Sequence, residues 1–396
     1  MIGGGAGFGL TPELEQLRDT VRRLAREKVQ PRSREVDLTG EYPSDWFDSF
    51  KSAGLLGLAI PEEFGGSGAG ILALAIAVEE VAKYSSTAAL MLLLTRLATT
   101  PVLIGGGEDQ KKRYVAAIAD GSQRAAFGLS EPGAGSDVAG MSTRAVPDMD
   151  RPGGYILTGQ KCWISGVSQA DWFAVFARTG EGISRSSRDI RGFIVERGFD
   201  GVGLGRVDRK MGVHGIDTGE LNLDGVRVPP ENAIGAESGF SVAMRTLNTL
   251  RPVVAARGLG LAEGALEYAV EYAKGREMFG VMESEMQGLQ WEIAKCAVDI
   301  EAARLLTYRA ASYVDEGKVT RQWAPYLSMA KYYATELAVR TSSLALQLLG
   351  AAGYMEEQPT EQWYRDAKQL TIVEGTSQVQ LGIVARGVLD GDVWWD

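Results

Sequence analysis

The hydrophobic spacing of this chain changes twice. Apolar residues recur every third or fourth position up to about residue 124, give way to short aromatic and β-branched runs over 125–235, and resume helical spacing beyond Gly239. This constrains the fold most, because a helix stripe and a strand face are different periodicities and one pattern does not serve both. Leu14, Leu17, Val21 and Leu24 step by three and four, and Thr11 with Pro12 makes an N-cap and first-turn pair. Pro31 is expected to end that helix. Further helical runs are expected over 44–55, 71–84, 87–104 and 108–119, parted by Gly-rich breaks such as GGSGAG at 65–70. GYILTGQKCWISG, ADWFAVFART, RGFIVERG and GELNLDGVRVPP read as strands, bounded by Gly, Asp and Pro. No amphipathic helix lies between them, so an antiparallel sheet or barrel is expected rather than a doubly wound sheet. SRSSRDI (184–190) reads as a polar loop.

Leu266, Ala269, Val270 and Ala273 mark one face of the C-terminal helices. Ile293, Ala297, Ile300 and Thr307 mark a second, and Leu337, Thr341, Leu344, Ala345 and Leu348 a third. Long helices of this kind suggest a bundle. The expected class is α+β, multidomain: a flexible tail (1–10), a helical domain (11–123), a β domain (124–235) and a helical bundle (236–396). The length of 396 residues exceeds what one hydrophobic core usually serves. GGGAGFG at 3–9 resembles a dinucleotide fingerprint but has no strand before it, so it reads as tail. There is no internal repeat.

Several function classes fall away on residue content. A net charge of −10 disfavours nucleic acid as main partner, since phosphate binding uses clustered Lys and Arg. The most apolar run, 88–106, contains Arg96 and Pro101, so no membrane span is expected. No charged-then-apolar leader is evident either, and cytoplasmic residence is the default expectation. Cys162 and Cys296 lie in apolar patterns and read as buried thiols rather than a disulfide or metal pair. A single histidine, His214, removes most hydrolase chemistry and His-based metal sites. Difficult chemistry here falls to carboxylates or a bound organic cofactor.

Three stretches stand out. In AAFGLSEPGAGSDVAG (125–140), Gly133 and Gly135 let backbone N–H groups approach a ligand, with Ser130 and Ser136 as hydroxyls; the loop is also readable as a plain turn. In GQKCWISG (159–166), Trp163 either stacks on a planar ring or fills a core. In TIVEGTSQVQ (371–380), Glu374 is a catalytic base or a helix N-cap.

Together these stretches resemble the acyl-CoA dehydrogenase family, whose middle domain carries T/S-E-P-x-A-G-S-D followed by G-x-K-x-W-I-T/S. MGVHGIDTGELNLDGVRVPPENAIG (211–235), RPVVAARGLGLAEGALEYAVEYAKGREMFG (251–280), QLLGAAGYMEEQPTEQWYRDAK (347–368) and VEGTSQVQ continue the likeness in order. The resemblance implies bound FAD, with Phe127, Leu129 and Ser130 against its ring and Trp163, Ile164 and Ser165 covering the other side. Arg276, Phe279, Gln287, Gln347, Gly350 and Ala351 match the family's ADP-binding positions, several reaching the cofactor of a neighbouring subunit. Thr376 and Gln378 would close the site. Arginine suits a pyrophosphate through paired charge-assisted bonds. The resemblance also implies a homo-oligomer, dimer or tetramer, that passes electrons to an electron-transfer flavoprotein or similar acceptor.

Glu374 matches the family's base, which takes the thioester α-proton as the β-hydrogen leaves as hydride to flavin. The substrate is an acyl thioester on CoA or acyl carrier protein, with Ser136, Asn248, Arg251 and Gly375 at substrate positions. In the family, the base's own N–H and a ribityl hydroxyl receive the enolate oxygen. Some relatives place the base where this chain has Arg251, which cannot accept a proton. Asn248 stands where many relatives have aspartate, and Gly219 where arginine is frequent. Arg96, among leucines, reads as snorkelling or salt-bridged at the helix edge, or else as a partner for a carboxylated acyl group. His214 reads as structural or at the pocket rim. The pairs Glu79–Glu80 and Glu356–Glu357 and the run DQKKR (109–113) read as solvated faces. Two further readings use the same scaffold: a flavin oxidase, monooxygenase or desulfinase, and a binding protein that has lost flavin.

Overall fold

A computed structural model describes residues 9–179, 186–235 and 238–393. The N-terminal helices are α1 (Pro12–Leu24), α2 (Ser33–Thr39), α3 (Ser44–Ser52), α4 (Gly70–Ala82) and α5 (Ser86–Gly105), then the short α6 (Glu108–Gln110) and α7 (Ala116–Ala119). Thr11 caps α1, its hydroxyl accepting the Leu14 N–H, with Pro12 in the first turn. Pro31 does not end the helical path. The chain continues through a π turn at Ala25–Val29 and a 3-10 turn at Gln30–Arg32 into α2. Pro31 falls at the start of that 3-10 turn, where a missing N–H costs no bond.

The strands are β1 (Ala125–Gly128), β2 (Arg144–Pro147), β3 (Tyr155–Ser165), β4 (Trp172–Arg178), β5 (Ile190–Glu196), β6 (Val202–Val207), β7 (Thr218–Val228) and β8 (Ala233–Ile234). They form one sheet in the order β6-β7-β3-β2-β4-β5-β8, with β1 also on β4. The sheet is mixed and not strictly antiparallel: β1 runs parallel to β4 from Trp172 to Val175, and β2 is parallel to β4 at Arg178. β1 and β2 thus follow one another along a single edge of β4, and the 129–143 loop interrupts what is otherwise one strand position. The Pro- and Gly-rich stretch at 131–137 signals the turn, but nothing in it signals that the chain returns to the same edge of β4. β4 is buried along its length. The GELNLDGVRVPP strand, β7, pairs with β3 and with β6. Of SRSSRDI, 184–185 lie outside the described residues, as do residues 1–8; Ser187–Asp189 form a 3-10 turn.

The C-terminal helices are α8 (Gly239–Gly275), α9 (Gln287–Asp315), α10 (Ala324–Leu349), α11 (Thr360–Leu370) and α12 (Ser377–Leu389); a small hairpin, β9 (Glu277–Met278) and β10 (Val281–Met282), joins the first two. Leu259, Ala262 and Leu266 of α8 share one core with Leu337 and Ala338 of α10 and Leu74 and Val78 of α4. Each fully buried leucine there contributes roughly 1.5–3 kcal/mol. α8 meets α4 closely: a Cβ at Gly260 would stand 2.0 Å from the Glu79 carbonyl oxygen, and one at Gly264 2.1 Å from that of Lys83. On α9 the inward face is Ile300, Ala303 and Thr307, whereas Ala297 is exposed, against expectation. Trp291, Val298 and Leu305 point outward beside it. α5 passes the length and apolarity test for a membrane span, but most of it is buried within the fold. Its Ala98 and Val102 pack with Trp172 and Ala174 of β4, so α5 ties helices to sheet.

Burial corrects three expectations. Glu79 and Glu80 are each only 2% exposed. Glu79 accepts from Arg304 Nε (3.0 Å) and Tyr308 (2.8 Å), and Glu80 from Arg22 (2.8 and 2.9 Å), so these acids knit α4 to α9 and α1. Glu356 and Glu357 are exposed as expected. Within DQKKR, Gln110 is buried and donates to the Glu231 and Ala233 carbonyls. Among the described residues Arg96 neither snorkels nor forms a salt bridge: it is buried, its Nε and Nη1 have no partner, and burial lowers its guanidinium to about 10 with the Asp315 charge opposing. Asp315 itself accepts the Ile71 and Leu72 N–H groups at the start of α4.

Candidate active site

α5, the sheet edge, α8 and the turn before α12 enclose a cavity of about 1480 Å³. Apolar residues dominate one side, with Leu90, Leu94 and Leu97 stepping along α5. The loop after β1 contributes Phe127, Leu129, Ser130 and Ser136. That loop is held by a buried ion pair. Glu131 accepts from Lys161 Nζ (2.7 Å), from the Ser142 N–H (2.6 Å) and hydroxyl (2.7 Å), and from the Thr143 N–H (3.0 Å). Lys161, fully buried on β3, also donates to the Leu129 carbonyl at 3.1 Å. Burial works against the carboxylate, but the Lys161 charge and these donors overcome it and hold Glu131 at about 2. For Lys161 burial is the larger influence and its direction is downward, opposite to what a firm ion pair implies. The carboxylate, with four donors, settles the matter in favour of the charged pair.

Trp163 reaches the cavity through a bulge. Lys161 pairs with Leu221 and Ile164 with Gly219, so Cys162 and Trp163 together oppose Glu220 alone. Trp163 takes a left-handed φ of 55° and is 57% exposed, which rules out the core reading. Ser165 lines the cavity too, whereas Ile164 packs into the sheet's interior and does not. Gly219 has a local reason: a Cβ there would stand 2.7 Å from the Arg206 carbonyl oxygen on β6.

The turn after α11 positions Glu374. The Ile372 and Val373 N–H groups donate to the Gln369 carbonyl, and the Ser377 N–H to that of Thr371. Among the described residues these bonds leave the Glu374 N–H unused. Gln380 donates to the Glu374 and Gly375 carbonyls, and Lys331 Nζ to the latter at 2.8 Å. Thr376, not Glu374, caps α12, its hydroxyl accepting the Val379 N–H. Glu374 itself holds a left-handed φ of 53°, and its Oε2 is buried without a partner among the described residues. The accessible part of the residue opens onto the cavity. Burial raises its carboxyl to about 7, against the pull of Lys331, Arg257 and Arg251.

Asn248, Arg251, Gly375 and Thr376 also line the cavity. Arg251 donates to Asn248 Oδ1, and Asn248 Nδ2 to the Val319 carbonyl at 2.9 Å, so this amide already has neighbours on both ends. Gln378 is exposed at the start of α12 and does not line the cavity. The remaining expected cofactor residues gather elsewhere. Arg276 donates to the Leu348 and Leu349 carbonyls and lies 3.7 Å from Glu283; Gly350 sits beside it, its Cβ position 3.5 Å from Arg276 Nη1. Phe279, Gln287, Gln347 and Ala351 are exposed, Phe279 almost completely. This surface group is separate from the Glu374 wall within one chain.

His214 is structural. Its Nδ1 faces Asp37, carbonyl at 2.9 Å and carboxylate at 3.0 Å, and its Nε2 faces the Lys210 carbonyl at 3.0 Å. The Asp37 bond raises it to about 9. Arg365 of α11 also grips Asp37, at 2.5 and 3.1 Å. Sequence reasoning missed Lys161, Arg257 and Lys331. The signal available was a lone charge within an apolar run, as in VVAARGLGLA.

Comparison with known proteins decides the family. Residues 11–122 match the acyl-CoA dehydrogenase N-terminal domain, 126–226 its middle domain and 237–389 its C-terminal domain. The chain belongs to the acyl-CoA dehydrogenase family. Probable acyl-CoA dehydrogenase FadE25 of Mycobacterium tuberculosis is 36% identical to this dehydrogenase over 96% of the chain and 97% of its own length. The structure of butyryl-CoA dehydrogenase from Megasphaera elsdenii superposes with a TM-score of 0.92 at 37% identity, covering 97% of this chain and 100% of that one. A chain from a structure described as the electron transferring flavoprotein of Acidaminococcus fermentans gives 0.92 at 38% identity, covering 97% and 99%. The dehydrogenase is an oxidoreductase by that membership.

Proposed function

We propose that this dehydrogenase converts an acyl thioester to its trans-2-enoyl form, with Glu374 as the base that removes the α-proton. One observation carries the reading. A carboxylate oxygen without a partner, on a backbone held left-handed, faces a largely apolar cavity and is pushed by burial to about 7. A base near working pH combines a populated anion with real proton affinity. Structural carboxylates in this fold, Glu131 and Glu79, are instead fully engaged. The unused Glu374 N–H suits the developing enolate oxygen.

The cavity fits FAD on chemical grounds. Trp163 presents an exposed ring at the bulge, Ser165 and Thr376 present hydroxyls, and the 129–136 loop presents backbone beside Phe127 and Leu129. FAD, when bound, supplies the acceptor for the β-hydrogen as hydride. The chain's own work is to grip the thioester, exclude water with the α5 leucines, and hold the proton taken from the α-carbon on the Glu374 carboxyl. Arg209, Arg321 and Arg386 line the mouth, which suits the phosphates of CoA or of a carrier protein's pantetheine arm. The likeness to a chain from an electron-transferring-flavoprotein structure supports such a protein as the electron acceptor. The Arg276 group and the outward α9 residues suit a homo-oligomer.

Anaerobic mixing with acyl thioesters tests the proposal. The purified protein should be yellow and bleach. Glu374→Gln should keep the flavin and ligand binding but lose bleaching by about 10²–10⁴-fold. Bleaching at an undiminished rate would remove Glu374 as the base.

A further inference from the structure

Arg257 lies on the cavity wall, its charge felt by Glu374 but with no hydrogen bond to it. It is 1% exposed. Its Nε donates to the Ser86 carbonyl at 2.9 Å, which anchors the guanidinium where α5 begins, one turn before Leu90. Among the described residues its Nη2 has no partner. Three other buried or half-buried cations share this region and also donate to neighbours: Lys331 to the Gly375 carbonyl, Lys210 to the Val213 and Ile216 carbonyls, and Arg251 to Asn248, although Arg251 Nε, like Arg257 Nη2, has no partner among the described residues. Two acids act on Arg257, Asp366 and Glu374. Neither reaches it as an ion pair. Asp366 gives one oxygen to the Val213 N–H at 2.5 Å, and Glu374 loses its charge when it takes a proton. Arg257 therefore keeps a buried N–H on the cavity wall with no acid bonded to it, and one of the two nearby negative charges disappears when Glu374 takes a proton.

We propose that Arg257 receives a carboxylate at the far end of the acyl chain, so that the substrate is the monothioester of a dicarboxylic acid. The inference rests on the dehydrogenase reading and narrows its substrate class. Leu90, Leu94 and Leu97 form an apolar wall for the methylenes. A planar guanidinium with Nη2 unpartnered suits a carboxylate oxygen through a charge-assisted bond. A methyl terminus would leave that buried donor unsatisfied, and discrimination of about 10- to 100-fold follows.

The test compares matched CoA thioesters, butyryl and hexanoyl against succinyl, glutaryl and adipyl, by anaerobic flavin bleaching with the holoenzyme. At least one carboxylated thioester should exceed both methyl-terminated ones tenfold or more in bleaching rate at sub-saturating thioester. Arg257→Gln should collapse that ratio to near one, and Arg257→Lys should restore part of it. A wild-type preference for methyl-terminated chains overturns the proposal whatever the variants do. So does an equal loss on both classes in Arg257→Gln, which would make Arg257 a positioning residue for Glu374. No bleaching by any thioester would instead overturn the dehydrogenase reading beneath it.

Discussion

Replacing Glu374 by glutamine should inactivate the enzyme and at the same time stabilise it. The carboxyl ordinarily titrates at 4.5 and here at about 7, a figure that already includes the help of Lys331, Arg257 and Arg251. Folding therefore withholds ionisation across that interval. At 1.36 kcal/mol per pH unit, ionised Glu374 costs the native state about 3 kcal/mol above pH 7. The sign follows from proton counting. Below pH 4.5 both states are protonated and nothing is lost. Between 4.5 and 7 the unfolded chain releases a proton that the folded chain keeps, so stability falls as pH rises. Glutamine has no such titration. Urea unfolding of the holo wild type and Glu374→Gln, across pH 5.5 to 8.5, should give a variant advantage of about 1 kcal/mol at the acid end and about 3 kcal/mol at the alkaline end. In parallel, wild-type kcat/KM should fall about tenfold per pH unit below 7. An advantage that is flat with pH, or a variant less stable at pH 8.5, would refute the view that burial sets this proton affinity.

Lys331→Met removes a cation that pulls the Glu374 carboxyl down, so the acid limb of the pH–rate profile should move to higher pH; an unmoved limb would discount that charge. Lys161→Met breaks a buried pair and strands Glu131, so unfolding should come about 3–5 kcal/mol earlier, with flavin released before the main transition. His214, raised to about 9 by Asp37, contributes stability that is full below about pH 6.5 and lost as pH rises through 9. Asp37→Asn should flatten the melting temperature against pH over that window, as read by thermal scans.

The helix–strand–helix order was legible because each segment holds its period long enough to be unambiguous, and the Thr11 cap appears where its chemistry places it. Glu374, Trp163 and the loop at 125–140 were legible through the family likeness, since short motifs fix their type. The missed features depend on contacts distant in sequence. Glu131 finds Lys161 across the loop, and Glu79 finds Arg304 on a helix more than two hundred positions away. Nothing local distinguishes Glu79 from Glu356, yet one is buried and the other solvated. Parallel pairing of β1 was hidden for the same reason, because it depends on where the interrupting loop goes rather than on strand composition. Ile164 shows the limit of a motif: the backbone position holds while the side chain turns inward.

The grip of Arg365 on Asp37 joins the two ends of the polypeptide. A ribosome makes Asp37 long before Arg365, and until α11 emerges that buried acid lacks a principal counter-charge. The last helices therefore cannot be an appendage added to a finished body. A nascent chain stopped short of α11 should stay open around α2, readily cut by protease and dependent on chaperones. Glu374, in the turn just beyond, can be set only once the first and last parts of the protein have met.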